Sequence, residues 1–193
     1  MADPVHHLAF GGARIALAAS RPLGWLSPGL FVTGNLHGLM AAGFAGEVRV
    51  RAGRDIEVEL LGHRPLSLGR AYPTGAGGLA ETGVQTIVHG IVSAEPGEAA
   101  DPGHTDRALR SALVLLDELG IRRVTLPLVE VVLSRDRAAQ GRAMGTLIAG
   151  HMRRRSRLLS VTVAGLDEDF LAGVRAALLE AGAHAGDDST ESP

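Results

Sequence analysis

From residue 85 onward the chain alternates apolar strands with apolar-striped helices, and this alternation restricts the fold more than any other feature. Residues 85–92 read as a buried strand rich in Ile and Val. Over residues 106–119, Ala108, Leu109, Ala112, Leu113, Leu115, Leu116 and Leu119 form a helical stripe stopped at Gly120. Residues 123–129 form a second apolar strand, with Pro127 expected near its end. A helix over 136–152, a strand over 158–164 and a closing helix over 167–181 with an acidic first turn complete the series. Such an order implies parallel pairing through crossover helices, which cover both faces of the sheet. Gly141, Gly145 and Gly150 weaken intrinsic helicity over 136–152 but permit close approach of a neighbour.

The first half is less regular. Two apolar runs flank Gly11-Gly12, and residues 13–17 read as a strand that starts the sheet after a turn. Residues 21–29 carry two prolines and two glycines and connect to a short strand over 30–33, with Trp25 expected to plug this loop onto the core. Over 44–60 two periods compete. Phe44, Val48, Ala52, Ile56 and Leu60 recur every four residues as on a helix, whereas Val48, Val50, Ile56, Val58 and Leu60 alternate as in a hairpin around Gly53. Residues 65–78 read as extended chain with turns. The length fits one domain over residues 1–182, followed by a disordered acidic tail over 183–193.

Residues 32–46, Val-Thr-Gly-Asn-Leu-His-Gly-Leu-Met-Ala-Ala-Gly-Phe-Ala-Gly, carry the chemistry most open to a ligand. They read as a strand end, an exposed Asn and a small-residue turn that opens a helix. Small residues let backbone N–H groups approach an anion, and the helix start adds partial positive charge. The same small residues also serve close packing of a strand on a helix.

Composition excludes several classes. Apolar residues at 46% and charged residues at 21% fit a folded chain, while aromatics at 3% argue against a single-strand stacking platform. Nineteen basic against twenty-one acidic side chains leave no global field for nucleic acid. Without cysteine there is no disulfide, thiolate metal site or cysteine nucleophile, and a reducing cytoplasm is compatible. No apolar run reaches eighteen residues, so membrane spanning is disfavoured.

In this order the segments resemble the macro domain, an α/β module that typically binds ADP-ribose, over about residues 13–179. Residues 107–127 are similar to the family's helix and strand before its second ligand loop, and Thr86-Ile87-Val88-His89 to its preceding buried strand. The resemblance implies a three-layer α/β/α mixed sheet with helices on both faces, and a helix over 44–61. Val32-Thr33-Gly34-Asn35 falls on the Asn-Ala-Ala-Asn of the first ligand loop, and Ala41-Ala42-Gly43-Phe44 on its glycine run. Asn35 matches the asparagine associated with the distal ribose. The first asparagine is Val32, which removes two donors and an acceptor and with them the polar group that hydrolysis needs. The adenine carboxylate position falls near Arg21, and the second loop falls on residues 130–134, where Glu130 sets a negative charge near the phosphates.

The resulting expectation is a noncatalytic binder of ADP-ribose or a related nucleotide, with Asn35, His37, Gly43, Phe44 and Glu130 at the site and no cofactor or metal. Asn35 would hold a ribose hydroxyl, amides near Gly43 a phosphate, and Phe44 would line the cleft. His37 reads as a general acid or base, or simply as a polar loop residue. The alternative is a structural or protein-binding subunit, open to homo-oligomers, that uses the glycines of 136–152 and the apolar Val131-Val132-Leu133 for assembly. An ADP-ribosyl hydrolase ranks third. Other candidates carry plainer explanations. His6-His7 fall in a terminus expected to be loose, and the remaining histidines lack ligand spacing. The run Arg153-Arg154-Arg155-Ser156-Arg157 fits a solvated helix end, or a contact with nucleic acid or an acidic partner.

Overall fold

The computed structural model describes residues 5–128, 136–154 and 156–186. Gly11 and Gly12, both at positive φ, turn the chain between β1 (Val5–Phe10) and β2 (Ala13–Ala18), which pair antiparallel. His6 and His7 therefore sit in a strand, a correction to the loose terminus expected of them, because β2 supplies their backbone with partners. The remaining strands are β3 (Gly29–Asn35), β4 (Ala71–Thr74), β5 (Thr86–Ser93), β6 (Arg123–Pro127), β7 (Ser160–Ala164) and β8 (His184–Ala185). Their order across the sheet is β4-β5-β3-β6-β7-β2-β1-β8. The five from β5 to β2 run parallel, and β4, β1 and β8 join antiparallel at the two sides. Pairing of β8 with Leu8 and Ala9 shows that residues 184 and 185 continue the sheet where a tail was expected from 183; residues 187–193 lie outside the described chain.

Over 44–60 the helical period prevails, divided in two. Helix α1 (Gly43–Ala52) ends at Gly53, whose φ of 93° releases the chain into α2 (Asp55–Leu61). The helix expected from 106 starts a turn earlier, as α3 (Pro102–Glu118), because Asp101 accepts from His104 N–H at 2.8 Å and Pro102 occupies the first turn. Helices α4 (Arg137–Met152) and α5 (Glu168–Glu180) are likewise capped by Asp136 and Asp167.

Alternation along β3 divides the core. Phe31 faces α3, α4 and α5 together with Ile15, Leu17, Val124, Leu126, Val161 and Val163. Leu30 and Val32 face α1 with Met40, Val48 and Ile56, so helices cover both faces of the sheet. The α4–α5 contact rests on missing side chains. A Cβ at Gly141 would lie 2.0 Å from the Phe170 carbonyl oxygen, and one at Gly173 2.1 Å from that of Ala138. Gly141 and Gly145 are thus occupied by α5 of the same chain, which removes them as support for an assembly surface, while Gly150 faces open space.

Candidate functional site

The carboxyl ends of β5, β3, β6, β7 and β2 open into one groove of about 690 Å³. Four inter-strand spacings separate the outer pair of these strands, so the groove runs roughly 19 Å across the sheet. Crevices outside the carboxyl ends of parallel strands are the usual ligand sites of α/β sheets. Residues 33–35, on the second strand from the β5 end, form part of its floor, residues 41–45 and Glu47 one wall, and residues 96–98 the β5 end. Arg21 and Leu166 stand at the β2 and β7 end.

The α1 start is built to receive negative charge. Gly43 adopts φ +58°, a left-handed conformation that side chains resist, and turns extended Ala42 into the helix. Ala42 offers no capping side chain, and the first turn holds no acidic residue. The leading N–H groups and the positive end of the helix therefore border the groove with no acidic side chain in the first turn, and Glu47, just beyond that turn, lines the same wall. Among the described residues Arg21 has no ion-pair partner. Glu98, the carboxylate at the far end, is engaged by the Ala94 and Glu95 N–H groups, both at 3.0 Å.

Solved structures share this fold. The macrodomain of Oceanobacillus iheyensis with ADP superposes with a TM-score of 0.72 at 13% identity, over 93% of this chain and 97% of that one. A mutant of it with ADPR gives 0.73 at 14%, over 92% and 98%. A Trypanosoma brucei macrodomain in complex with ADP gives 0.68 at 20%, over 85% of this chain and 68% of that one. The chain has the macrodomain fold. No model of a known family and no curated protein matches its sequence, so the likeness is one of fold.

The macrodomain fold brings together three of the five residues singled out from sequence. Asn35, Gly43 and Phe44 line the groove. Asn35 is buried, and most of its amide is committed: Nδ2 donates to the Leu39 carbonyl at 2.8 Å, and Oδ1 accepts from the N–H groups of His37 and Leu39. One Nδ2 hydrogen remains. Phe44 is half-buried and also packs on the α1 core. His37 is not in the wall. It is exposed, with Nε2 3.1 Å from Glu95 Oε2, while its carbonyl accepts from Arg64. Glu130 and residues 131–134 lie outside the described chain. Val32 is fully buried beneath the floor and does not obstruct the groove.

Glu57 of α2 escaped sequence reasoning. Its Oε1 accepts from Met40 N–H at 2.7 Å, and its Oε2 lies 2.8 Å from Arg49 Nε, so a nearly buried carboxylate ties the segment before α1 to both helices. Its only signal was an acidic residue beside Ile56 on an otherwise apolar stripe.

Two further features lie away from the groove. His89 of β5 is wholly buried with Nε2 2.9 Å from Thr74 Oγ1, and its pKa falls to about 3 through burial and then the charge of His63. A second hollow of about 310 Å³ opens between α3 and α4 beside Phe170. Asp106 in its wall has a raised pKa through burial, opposed by Arg110. Its other lining is largely Leu109, Met144, Leu147 and Phe170, with little to orient a polar ligand. Among the described residues no cluster of three or more His, Asp or Glu could hold a metal, and no helix is long and apolar enough to cross a membrane.

Proposed function

We propose that the groove binds ADP-ribose or a related nucleotide and does not act on it. The observation that carries this reading is the uncapped start of α1, with Gly43 at its head, on the wall of a groove roughly 19 Å long. A diphosphate fits that position because backbone N–H groups and helix charge meet it without a competing carboxylate in the first turn. The remaining Nδ2 hydrogen of Asn35 would donate to a ribose hydroxyl, and Phe44 would line the cleft. Arg21 would meet an anionic or acceptor group at the β2 end. Macrodomains of the same architecture are known with ADP and with ADPR, which supports the ligand class.

The noncatalytic part rests on what surrounds the floor. The side chain at the position of the family's first loop asparagine is Val32, sunk in the core. His37 points to Glu95 on the outside, and Glu98 is held in its own turn, so neither is free in the groove to activate water, which leaves Glu47, exposed on the α1 wall, as the carboxylate whose replacement by Gln tests the noncatalytic reading.

Titration calorimetry with ADP-ribose, ADP, NAD and ribose phosphate, together with thermal melts, tests the reading. Ligand at a hundred times its dissociation constant stabilises by about 2.7 kcal/mol. Absence of both heat and a melting shift at millimolar ADP-ribose overturns it. Release of ADP-ribose from a modified protein overturns the noncatalytic part alone.

A further inference from the structure

The fold gathers arginines from three separate segments at the edge of the sheet opposite the groove. Arg14 opens β2, Arg122 and Arg123 lead into β6, Arg153 and Arg154 follow α4, and Arg157 precedes β7. All six are exposed. Arg14 and Arg123 both stand opposite Ser160, so their backbones are about 10 Å apart across β7, at two strand spacings. Arg153 is partly committed, since it donates to the Ala181 carbonyl and lies over the Phe10 ring. The other five form no ion pair among the described residues.

Local needs do not account for so much charge. Helices α3, α4 and α5 all end at this edge, and each contributes only about half a negative charge there. Asp117 is already engaged by His151, the Ser156 hydroxyl and the Arg157 N–H. Glu118, at the end of α3, is exposed, and Glu180, at the end of α5, is paired with Arg142. A positive excess survives in a chain whose formal charge is −2.

We infer that this edge binds the phosphate backbone of duplex nucleic acid. Guanidinium groups suit phosphate through planar, bidentate donation, and their placement on strand ends fixes them on a rigid frame. Phe10 is buried beneath Arg153, so no exposed ring among the described residues offers single-stranded bases a stacking surface at this edge. Exposed Leu119 and Leu159 stand singly, without the continuous apolar face that a membrane-surface element inserts. The edge lies away from the groove, so the inference does not depend on the nucleotide reading.

Fluorescence anisotropy of a labelled 20-base-pair DNA duplex between 50 and 300 mM NaCl tests it, with phosphatidylserine vesicles as the competing surface. Neutralising about five phosphates gives a slope of log affinity against log salt near −4 to −5, and each arginine removed takes away about one unit. The combined variant Arg122→Gln, Arg123→Gln, Arg154→Gln and Arg157→Gln should retain the melting temperature and weaken duplex binding at least fiftyfold at 100 mM salt. Should that variant not fold, Arg14→Gln alone should flatten the slope by about one unit, and Glu118→Lys should tighten binding several-fold. Absence of duplex binding at 50 mM salt, unchanged binding in these variants, or tighter binding to vesicles than to duplex overturns the inference.

Discussion

Asn35 and Leu39 are joined twice: the Asn35 amide donates to the Leu39 carbonyl at 2.8 Å, and the Leu39 N–H returns to Oδ1 at 3.3 Å. This clasp closes the turn between β3 and α1 and sets where the helix begins. Asn35→Ala should cost about 1–2 kcal/mol of stability, since it removes these bonds and the one to His37 N–H. ADP-ribose affinity should fall about tenfold with it, equivalent to roughly 1.4 kcal/mol. Asn35→Asp retains the acceptor for the His37 and Leu39 N–H groups but sets a carboxylate oxygen against the Leu39 carbonyl, so it should recover only part of the stability and none of the affinity. Urea melts and calorimetry on the same samples separate the two effects.

Glu57 holds the chain before α1 from the opposite side, through Met40 N–H and Arg49. Glu57→Ala should destabilise by about 1–3 kcal/mol, less than a fully buried pair because the Arg49 side chain is 39% exposed. Glu57→Gln, which can still accept from Met40, should lose less. The order of denaturation midpoints, wild type above Gln above Ala, checks the brace.

The helix α4 glycines should respond in opposite directions. Gly141→Ala forces a methyl group into the Phe170 carbonyl and should cost at least 1–3 kcal/mol. Gly150→Ala meets nothing and should be neutral or stabilise by up to about 1 kcal/mol. Thermal melts of the two single variants decide it.

His89 makes stability sensitive to acid. Its pKa is about 3 in the folded chain against 6.5 for an unperturbed histidine, so below pH 6.5 the unfolded chain holds a proton the native one does not. The contribution is present in full above pH 6.5 and lost as pH falls toward 3, by about 1.4 kcal/mol per unit. His89→Gln should flatten stability against pH between 6.5 and 4 by about that slope. An identical slope in variant and wild type contradicts the assignment.

Much of the architecture was legible because its signals are local. The stripe on α3, the apolar runs of β5, β6 and β7, and the small residues opening α1 each lie within a few turns or strand residues. Over 44–60 two periods overlapped, and burial of Val48, Ala52, Ile56 and Leu60 against the sheet decided for helix while Gly53 imposed the break. What remained hidden depends on partners distant in sequence. Pairing of β8 with β1, the contact of Glu57 with Met40, and the meeting of Arg14 with Arg123 are products of register. Asn35 was found as a residue, but its commitment to Leu39 and the turn of His37 toward Glu95 needed coordinates.

The central claim is that the leading amides of α1 meet the phosphates of a nucleotide. Nitrogen-15 spectra of the chain titrated with ADP-ribose address those amides one by one. Saturable shifts concentrated on Gly43, Phe44, Ala45 and the Asn35 side chain, with Gly150 and the α4–α5 contact unmoved, are the outcome predicted. Shifts absent from those groups at millimolar ligand, or centred on another surface, would contradict the account.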